Sequence, residues 1–123
     1  MKVTHYTQIP AKAFGSEAPE TSIRVLINDV NDNAPVYNLR MIEIGVNGHT
    51  PDHSHPYEHE NFVVEGDGQV MIDGDWYDIH QGDVVLVPAG IRHQYRNTGQ
   101  STLKFLCGIP NNEIQKLLEE RAK

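Results

Sequence analysis

The chain has 123 residues, enough for one domain with a single hydrophobic core. Its net charge is −7 with the seven histidines neutral, so we expect neither nucleic acid nor an anionic membrane surface as a partner. No apolar run approaches the roughly 20 residues of a membrane span, and the first residues lack the apolar core of a signal peptide. The single cysteine, Cys107, cannot form a disulfide within the chain, and we therefore expect a cytoplasmic protein.

The first part of the chain passes from an irregular segment to extended structure. Residues 1–22 are rich in small residues, glycine and proline and have no steady hydrophobic period, so we interpret them as an N-terminal arm. Strands are predicted at Ile23–Asn28 and Val36–Ile44, with the turn-forming sequence DVNDNAP between them. In the second strand, alternation places Arg40 on the same face as Ile42.

The middle of the chain is a series of short strands joined by tight turns. One strand is predicted at Asn61–Glu65, and Asp73-Gly74 indicates a hairpin between the next two, because that turn needs positive φ. Val84–Val87 is an apolar run that suits a buried strand. Two more strands are predicted at His93–Arg96 and Thr102–Ile109.

The last residues change period. The pair Asn111-Asn112 can cap a helix, and Ile114, Leu117 and Leu118 fall at helical spacing. We therefore predict a helix over residues 111–123 whose apolar stripe packs on the domain. Many short strands with turns about every 8 to 12 residues, followed by one late helix, predict an all-β sandwich or barrel.

Histidine is concentrated in one stretch, HSHPYEHE. His53 and His55 point to the same side of an extended chain, and His59 keeps that parity unless Pro56 bends the segment. His93 begins a later strand, and two antiparallel strands can bring such positions face to face. Imidazole binds Mn, Fe, Co, Ni, Cu and Zn, so a meeting of these four rings predicts a transition-metal site; otherwise they are polar turn residues.

Two motifs resemble those of the cupins. In the first, Gly48 precedes His53-Ser54-His55, Glu60 follows, and Gly66 closes the strand; the gaps after Gly48 and Glu60 are each one residue short of the usual pattern. The second motif is Gly-x5-Pro-x-Gly-x2-His-x3-Asn. It is matched without a gap change by Gly82, Pro88, Gly90, His93 and Asn97.

The resemblance implies a jelly-roll barrel, the cupin double-stranded β-helix, over residues 23–110 of a single domain 1–123. It also implies one divalent transition metal ion per chain inside the barrel. The stretch HSHPYEHE resembles small single-domain manganese cupins with four histidine ligands. The ligand set implied is His53, His55, His59 and His93, with Glu60 as the alternative to His59. Manganese is the metal implied, and Fe, Ni, Cu and Zn also suit imidazole. We do not expect ligands among the other histidines, which are His5, His49 and His80.

Further residues are candidates for the cavity wall. If the odd-numbered side chains of Thr102–Ile109 point inward, Phe105 and Cys107 face the metal; the alternative is plain core packing. Arg40 needs an anionic partner if it is buried, either a substrate carboxylate or an acidic residue, and otherwise faces solvent. Tyr57 can gate the barrel mouth or lie free on the surface. No catalytic acid or base is identifiable.

By this resemblance we expect a metal-dependent, dioxygenase-type oxidoreductase. Its substrates would be O2 and a small oxygenated or aromatic molecule, and the reaction that the resemblance suggests is oxidative C=C cleavage. Two alternatives stay open: a non-enzymatic module that binds a metal or small ligand, and a redox-neutral isomerase or decarboxylase. A homodimer is expected by the resemblance. It is also expected because exposed sheet edges need cover that residues 1–28 can supply across a dimer.

Overall fold

Nine β-strands build the fold in the computed structural model, which describes residues 1–123. The strands are Lys12–Ala13 (β1), Thr21–Ile27 (β2), Tyr37–Ile44 (β3), His59–Glu65 (β4), Asp67–Ile72 (β5), Asp75–His80 (β6), Val84–Val87 (β7), His93–Asn97 (β8) and Leu103–Pro110 (β9). They form an antiparallel six-stranded sheet in the order β1-β2-β3-β9-β4-β7 and a three-stranded sheet in the order β6-β5-β8. A single 3-10 turn at Tyr6–Gln8 and two helices, Asp29–Asp32 (α1) and Asn112–Ala122 (α2), complete the chain. The predicted all-β class with a short C-terminal helix is confirmed.

The core lies between the two sheets because alternate side chains of each strand point inward. In β9 the odd-numbered residues from Leu103 to Ile109 are buried, and the residues between them are partly exposed. Phe105 is opposite Ile42 of β3 and Val63 of β4, and all three are buried. The inward direction that the sequence left conditional for β9 is therefore the one observed.

The N-terminal segment is more ordered than predicted. Residues 1–22 were expected to be an irregular arm, but β1 pairs with β2, and β2 pairs with β3 at the edge of the larger sheet. The backbone N–H of Phe14 also donates to the carbonyl of Thr21 (3.0 Å). The two residues of β1 are exposed, so no alternation of polar and apolar residues revealed the strand. The segment covers an edge of its own sheet in this structure.

The prediction of a buried strand at Val84–Val87 was wrong. β7 is the edge of the six-stranded sheet, and its side chains are exposed by 76% at Val84 and 58% at Leu86, whereas Val87 is fully buried. An apolar run in the sequence does not distinguish a strand covered on both faces from an edge strand with an open outer face.

The two helices also differ from the sequence prediction. DVNDNAP, predicted as a turn, forms one helical turn that ends at Asn33 with φ of 55°. Helix α2 begins as predicted, because the Asn111 side chain accepts a hydrogen bond from the backbone of Ile114 (3.0 Å). Its apolar stripe is only partly covered: no residue of α2 is buried, and Leu117 is 58% exposed. Neither helix has the length and apolar character needed to cross a bilayer.

Candidate metal centre

Backbone hydrogen bonds bring the histidine segment to the start of β8. His53 and His93 exchange two of them: His93 N–H donates to His53 O (2.8 Å), and His53 N–H donates to His93 O (3.2 Å). The N–H of Gly90 donates to His55 O (2.6 Å) from a backbone with φ of +78°, a conformation that favours glycine. His59 is the first residue of β4, and its side chain is directed into the core.

The four imidazole rings form one cluster inside the barrel. Ring centroids lie 4.2 Å apart for His53 and His55, 4.8 Å for His53 and His93, and 4.7 Å for His59 and His93. Nitrogen atoms of His53, His55 and His93 all lie within 4.8 Å of one another. The nitrogens of His59 lie outside this close trio, although its ring centroid is 4.9 Å from that of His55. Histidines from two separated segments therefore meet as the sequence suggested.

Two of the rings have an inner nitrogen without a partner. His93 Nδ1 lies 2.9 Å from the carbonyl of Ile91, so it must donate, and Nε2 carries a lone pair. His59 Nδ1 lies 3.2 Å from the Sγ of Cys107, a contact in which either the ring or the thiol can donate. Both Nε2 atoms are buried and form no hydrogen bond. An unsatisfied buried polar atom costs about 1–3 kcal/mol, and coordination to a cation would satisfy both.

Burial lowers the pKa of all four histidines because it removes water from the charged form. The pKa falls to about 4 for His55 and to about 2 for His59. Neighbouring positive groups lower it further, among them the other histidines and Arg40. In His93, burial also dominates, and the hydrogen bond to Ile91 opposes it in part. The rings are therefore neutral near pH 7, which is the form that coordinates a metal.

The cluster opens on a cavity of about 160 Å³, here called the metal cavity. Its walls include Arg40, Phe105 and Cys107, the three residues named from the sequence as candidates for this wall. Phe105 and Cys107 are each 1% exposed. Both are also part of the hydrophobic core, so lining the cavity and packing the core are one role here.

Arg40 is placed by the strand register and has no acidic partner. It lies directly opposite Cys107 across β3 and β9, and its Nη2 donates to the sulfur (3.1 Å). Its Nε is buried and forms no hydrogen bond. No carboxylate lines the metal cavity, so the acidic partner considered from the sequence is not found within the chain. The cavity therefore presents one guanidinium and four imidazoles.

Glu60 does not reach this cavity. It is exposed, because it follows His59 in β4 and so lies on the opposite face of the strand. There a hydrogen bond between the two carboxyl groups, in which the protonated Glu58 donates to Glu60, raises the pKa of Glu58.

The remaining histidines lie elsewhere, each with its own partner. His80 Nδ1 is 2.8 Å from Asp67, His49 Nδ1 is 3.0 Å from the carbonyl of Thr50, and His5 caps the 3-10 turn.

Four wall residues were not identified from the sequence. They are Phe14, Ile42, Thr50 and Tyr95. Tyr95 stacks on Phe105 with centroids 4.4 Å apart, its hydroxyl donates to the side chain of Asn61, and its N–H donates to Thr50 Oγ1 (2.9 Å). Tyr95 shares the parity of His93 in a predicted strand, so alternation could have indicated it. Phe14 belongs to the N-terminal segment, where no period was visible.

Comparison with known proteins identifies the family of the chain. Residues 40–109 match the family model described as Cupin domain. The chain belongs to the cupins. This cupin is 30% identical over 71 residues to 1-methylthio-D-xylulose 5-phosphate methylsulfurylase of Rhodospirillum rubrum, a match covering 58% of this chain and 46% of that protein. It is 32% identical over 68 residues to gentisate 1,2-dioxygenase of a Streptomyces species, covering 54% of this chain and 19% of that protein. The chain thus spans less than half the length of these two relatives.

Solved structures agree on the fold. This cupin superimposes on the polyketide cyclase RemF from Streptomyces resistomycificus with a TM-score of 0.82 and 32% identity, covering 89% of this chain and 79% of that one. A predicted oxalate decarboxylase from Thermotoga maritima gives 0.80 at 19% identity, covering 89% of this chain and 99% of that one, and at that identity shows the fold alone. The names of these proteins describe different reactions, so membership of the family does not define the reaction.

Proposed function

We propose that this cupin is a metal-dependent enzyme, a dioxygenase-type oxidoreductase for a small oxygenated substrate with an acidic oxygen. The observation that carries the proposal is the pair of buried Nε2 atoms, on His59 and His93, that have no partner beside the rings of His53 and His55. Neutral imidazoles whose outer nitrogens are held by other hydrogen bonds are a donor set suited to a divalent transition metal.

The proposed ligands are the four histidines, with His59 in preference to Glu60. Histidine side chains contribute no negative charge, so a bound divalent ion would keep its full charge and favour an anionic oxygen donor. Manganese is proposed from the family resemblance, and iron, nickel, copper and zinc suit the same donors. When bound, the ion would supply Lewis-acid or redox chemistry.

The chain's own residues bind and orient the substrate. The Arg40 guanidinium faces the metal cavity without an acidic partner, so it can pair with the substrate's acidic group. Cys107 contacts both Arg40 and His59, and it therefore fixes the position of the guanidinium relative to that ring. Phe105 and Tyr95 form an aromatic wall that limits water in the cavity.

The absence of a carboxylate from the cavity walls bears on the alternatives. A redox-neutral isomerase or decarboxylase needs a positioned acid or base. Glu60, the carboxylate next to His59 in the sequence, lies on the outer side of β4. A non-enzymatic binding module stays open as the second candidate, because it needs only the same four rings.

Oxygen consumption separates these candidates. Manganese- or iron-loaded protein should consume O2 with some members of a panel of alkenyl phenols and enediols. Turnover that persists without O2 would indicate the redox-neutral class, and tight binding without turnover would indicate the module.

Elemental analysis tests the metal site itself. His93→Ala should lose most of its metal after dialysis, whereas the matched control His80→Ala should retain it, because His80 is exposed and bonded to Asp67. Equal metal content in the two variants would remove His93 from the ligand set.

Assembly and location are proposals as well. We propose a homodimer from the family resemblance and a cytoplasmic location from the single free cysteine, Cys107. Light scattering on purified protein gives the mass in solution, and a mass of one chain would contradict the dimer. Fractionation of the native host tests the location.

A further inference from the structure

A second cavity adjoins the metal cavity on the outer side of the larger sheet. It has a volume of about 500 Å³, and we call it the outer groove. It lies between the ends of β3 and β9, the histidine segment and helix α2. Half of its twelve lining residues are hydrophobic, and those used below are Leu39, Tyr57, Glu58, Glu60, Gly108 and Leu118.

Tyr57 is the wall that the two cavities share. It lines both of them. Its ring lies parallel to that of His55, with an angle of 2° and centroids 4.9 Å apart, and its centroid is 5.7 Å from that of His59. Its hydroxyl forms no hydrogen bond within the chain, whereas the His59 and His93 rings are each held by one. Moving Tyr57 aside would therefore break its stacking on His55 and His59 and its packing against the core, but no hydrogen bond, and it would remove the wall between the two cavities.

The two cavities have opposite charge. The metal cavity contains Arg40 and four histidines and no carboxylate. The outer groove contains Glu58 and Glu60 and no lysine, arginine or histidine. A ligand that occupies both must therefore be acidic at one end, and apolar with a hydrogen-bond donor or a positive charge toward the other.

We propose that the outer groove binds the distal part of the substrate, while the acidic oxygen end occupies the metal cavity and Tyr57 swings out between them. This inference rests on the proposed function for the position of the acidic end. It narrows the substrate class to elongated molecules with an acidic oxygen head and an apolar aliphatic or aromatic body. The far end of that body is a hydroxyl or an amine and not an acid.

Gly108 allows the groove to be filled without touching the metal cavity. A Cβ at this position would come no closer than 3.7 Å to its nearest neighbour, the carbonyl oxygen of Glu60, which is an ordinary contact. Gly108→Val therefore fits the strand and places its side chain in the groove. Leu106→Val is the matched control, because Leu106 lies two residues away on the same face of β9 and does not line the groove.

Hydroxamates are suitable probes because they offer an acidic oxygen head to a bound metal. Acetohydroxamate carries the head alone. Two longer probes carry a phenylbutyl body that ends in an amine or in a carboxylate. Their dissociation constants are measured from the visible spectrum of cobalt-loaded protein.

The expected affinities differ between the probes. Acetohydroxamate should bind wild type and Gly108→Val equally. The amine-ended probe should bind wild type best and should lose about tenfold in Gly108→Val but not in Leu106→Val. The carboxylate-ended probe should bind more weakly than the amine-ended one.

Equal affinity of the amine-ended probe for wild type and Gly108→Val would overturn the groove proposal and leave the metal site standing. Failure of every probe to bind, or failure of the protein to take up cobalt, would count against the proposed function. The groove would then be tested in metal-free protein by nuclear magnetic resonance. Shifts of the amide signals of Gly108 and Leu118 on adding the amine-ended probe would support the groove, and their absence would overturn it.

Discussion

The inner and outer sides of the barrel at the histidine segment are lined by neighbouring residues of one short stretch and have opposite chemistry. Inside, His55 and His59 face a cavity whose only full charge belongs to Arg40. Outside, Glu58 and Glu60 face an open groove. The difference arises because successive residues of an extended strand point to opposite sides. The stretch Glu58-His59-Glu60 therefore contributes an imidazole to the interior and two carboxyl groups to the exterior.

The largest expected effect is a difference in bound metal between variants of His59 and Glu60, the two neighbours at the start of β4. His59→Ala should reduce bound metal from about one ion per chain to nearly none after dialysis, because a coordinating nitrogen is lost. Glu60→Gln should leave the metal content unchanged, because its side chain is on the exposed face. Elemental analysis of both variants measures this. A large loss of metal in Glu60→Gln would mean that the carboxylate enters the cavity and that the assignment of the two sides is wrong.

Metal binding should stabilise the folded protein, and this stabilisation should depend on the inner histidines and not on the outer glutamates. A ligand present at 100 times its dissociation constant stabilises the folded state by about 2.7 kcal/mol, which corresponds to roughly 10 °C in Tm for a domain of this size. Differential scanning calorimetry should show such a rise on adding manganese to wild type and to Glu58→Gln. The rise should be absent in His93→Ala. An equal rise in His93→Ala would place the stabilising ion elsewhere.

Arg40 should control anion binding without controlling metal binding. Arg40→Met keeps much of the side-chain volume but removes the charge, so acetohydroxamate should bind metal-loaded protein about tenfold more weakly, since hydrogen bonds to charged groups contribute about 1.5–3 kcal/mol. Arg40→Lys should recover part of the affinity, because it retains the charge but not the planar donors. Metal content should stay unchanged in both. Unchanged hydroxamate affinity in Arg40→Met would exclude the guanidinium from substrate binding.

The sequence alone could predict which residues share a face of a strand, because alternate side chains along a strand point to the same side. Parity placed His59, and not Glu60, on the face of His53 and His55, and the structure buries His59 and exposes Glu60. The same alternation put Phe105 and Cys107 on one face of β9, but only the structure shows that this face is the inward one. Features at the edges of the sheets could not be predicted in this way. Val84 and Leu86 are as apolar as core residues, and only the strand order places them at an edge.

The same limit applies to single contacts between distant segments. Phe14 reaches the cavity because β1 folds back on β2, and two exposed residues leave no pattern in the sequence. The spacing of Leu117 predicted a packed stripe on α2, but spacing does not reveal whether another element is present to cover it. Tyr57 was recognised as a possible gate, but its two cavities appear only once the barrel end and α2 are placed.

The smallest expected effect is a difference in titration between the outer histidine His80 and the inner histidines His55 and His59. His80 is exposed, and its hydrogen bond to Asp67 raises its pKa, whereas burial lowers the pKa of His55 and His59. Because the pKa of His80 is raised in the folded state, the His80–Asp67 pair contributes fully to stability below the ordinary histidine pKa of about 6.5. This contribution disappears as the pH rises through the raised pKa.

Nuclear magnetic resonance titration should therefore show the His80 ring signals moving at a higher pH than those of a free histidine. In Asp67→Asn the titration should shift to lower pH, since the charged acceptor is gone. The ring signals of His55 and His59 should show no titration between pH 6 and 8 in either protein, and a midpoint near neutrality for either ring would mean that water reaches the interior of the barrel.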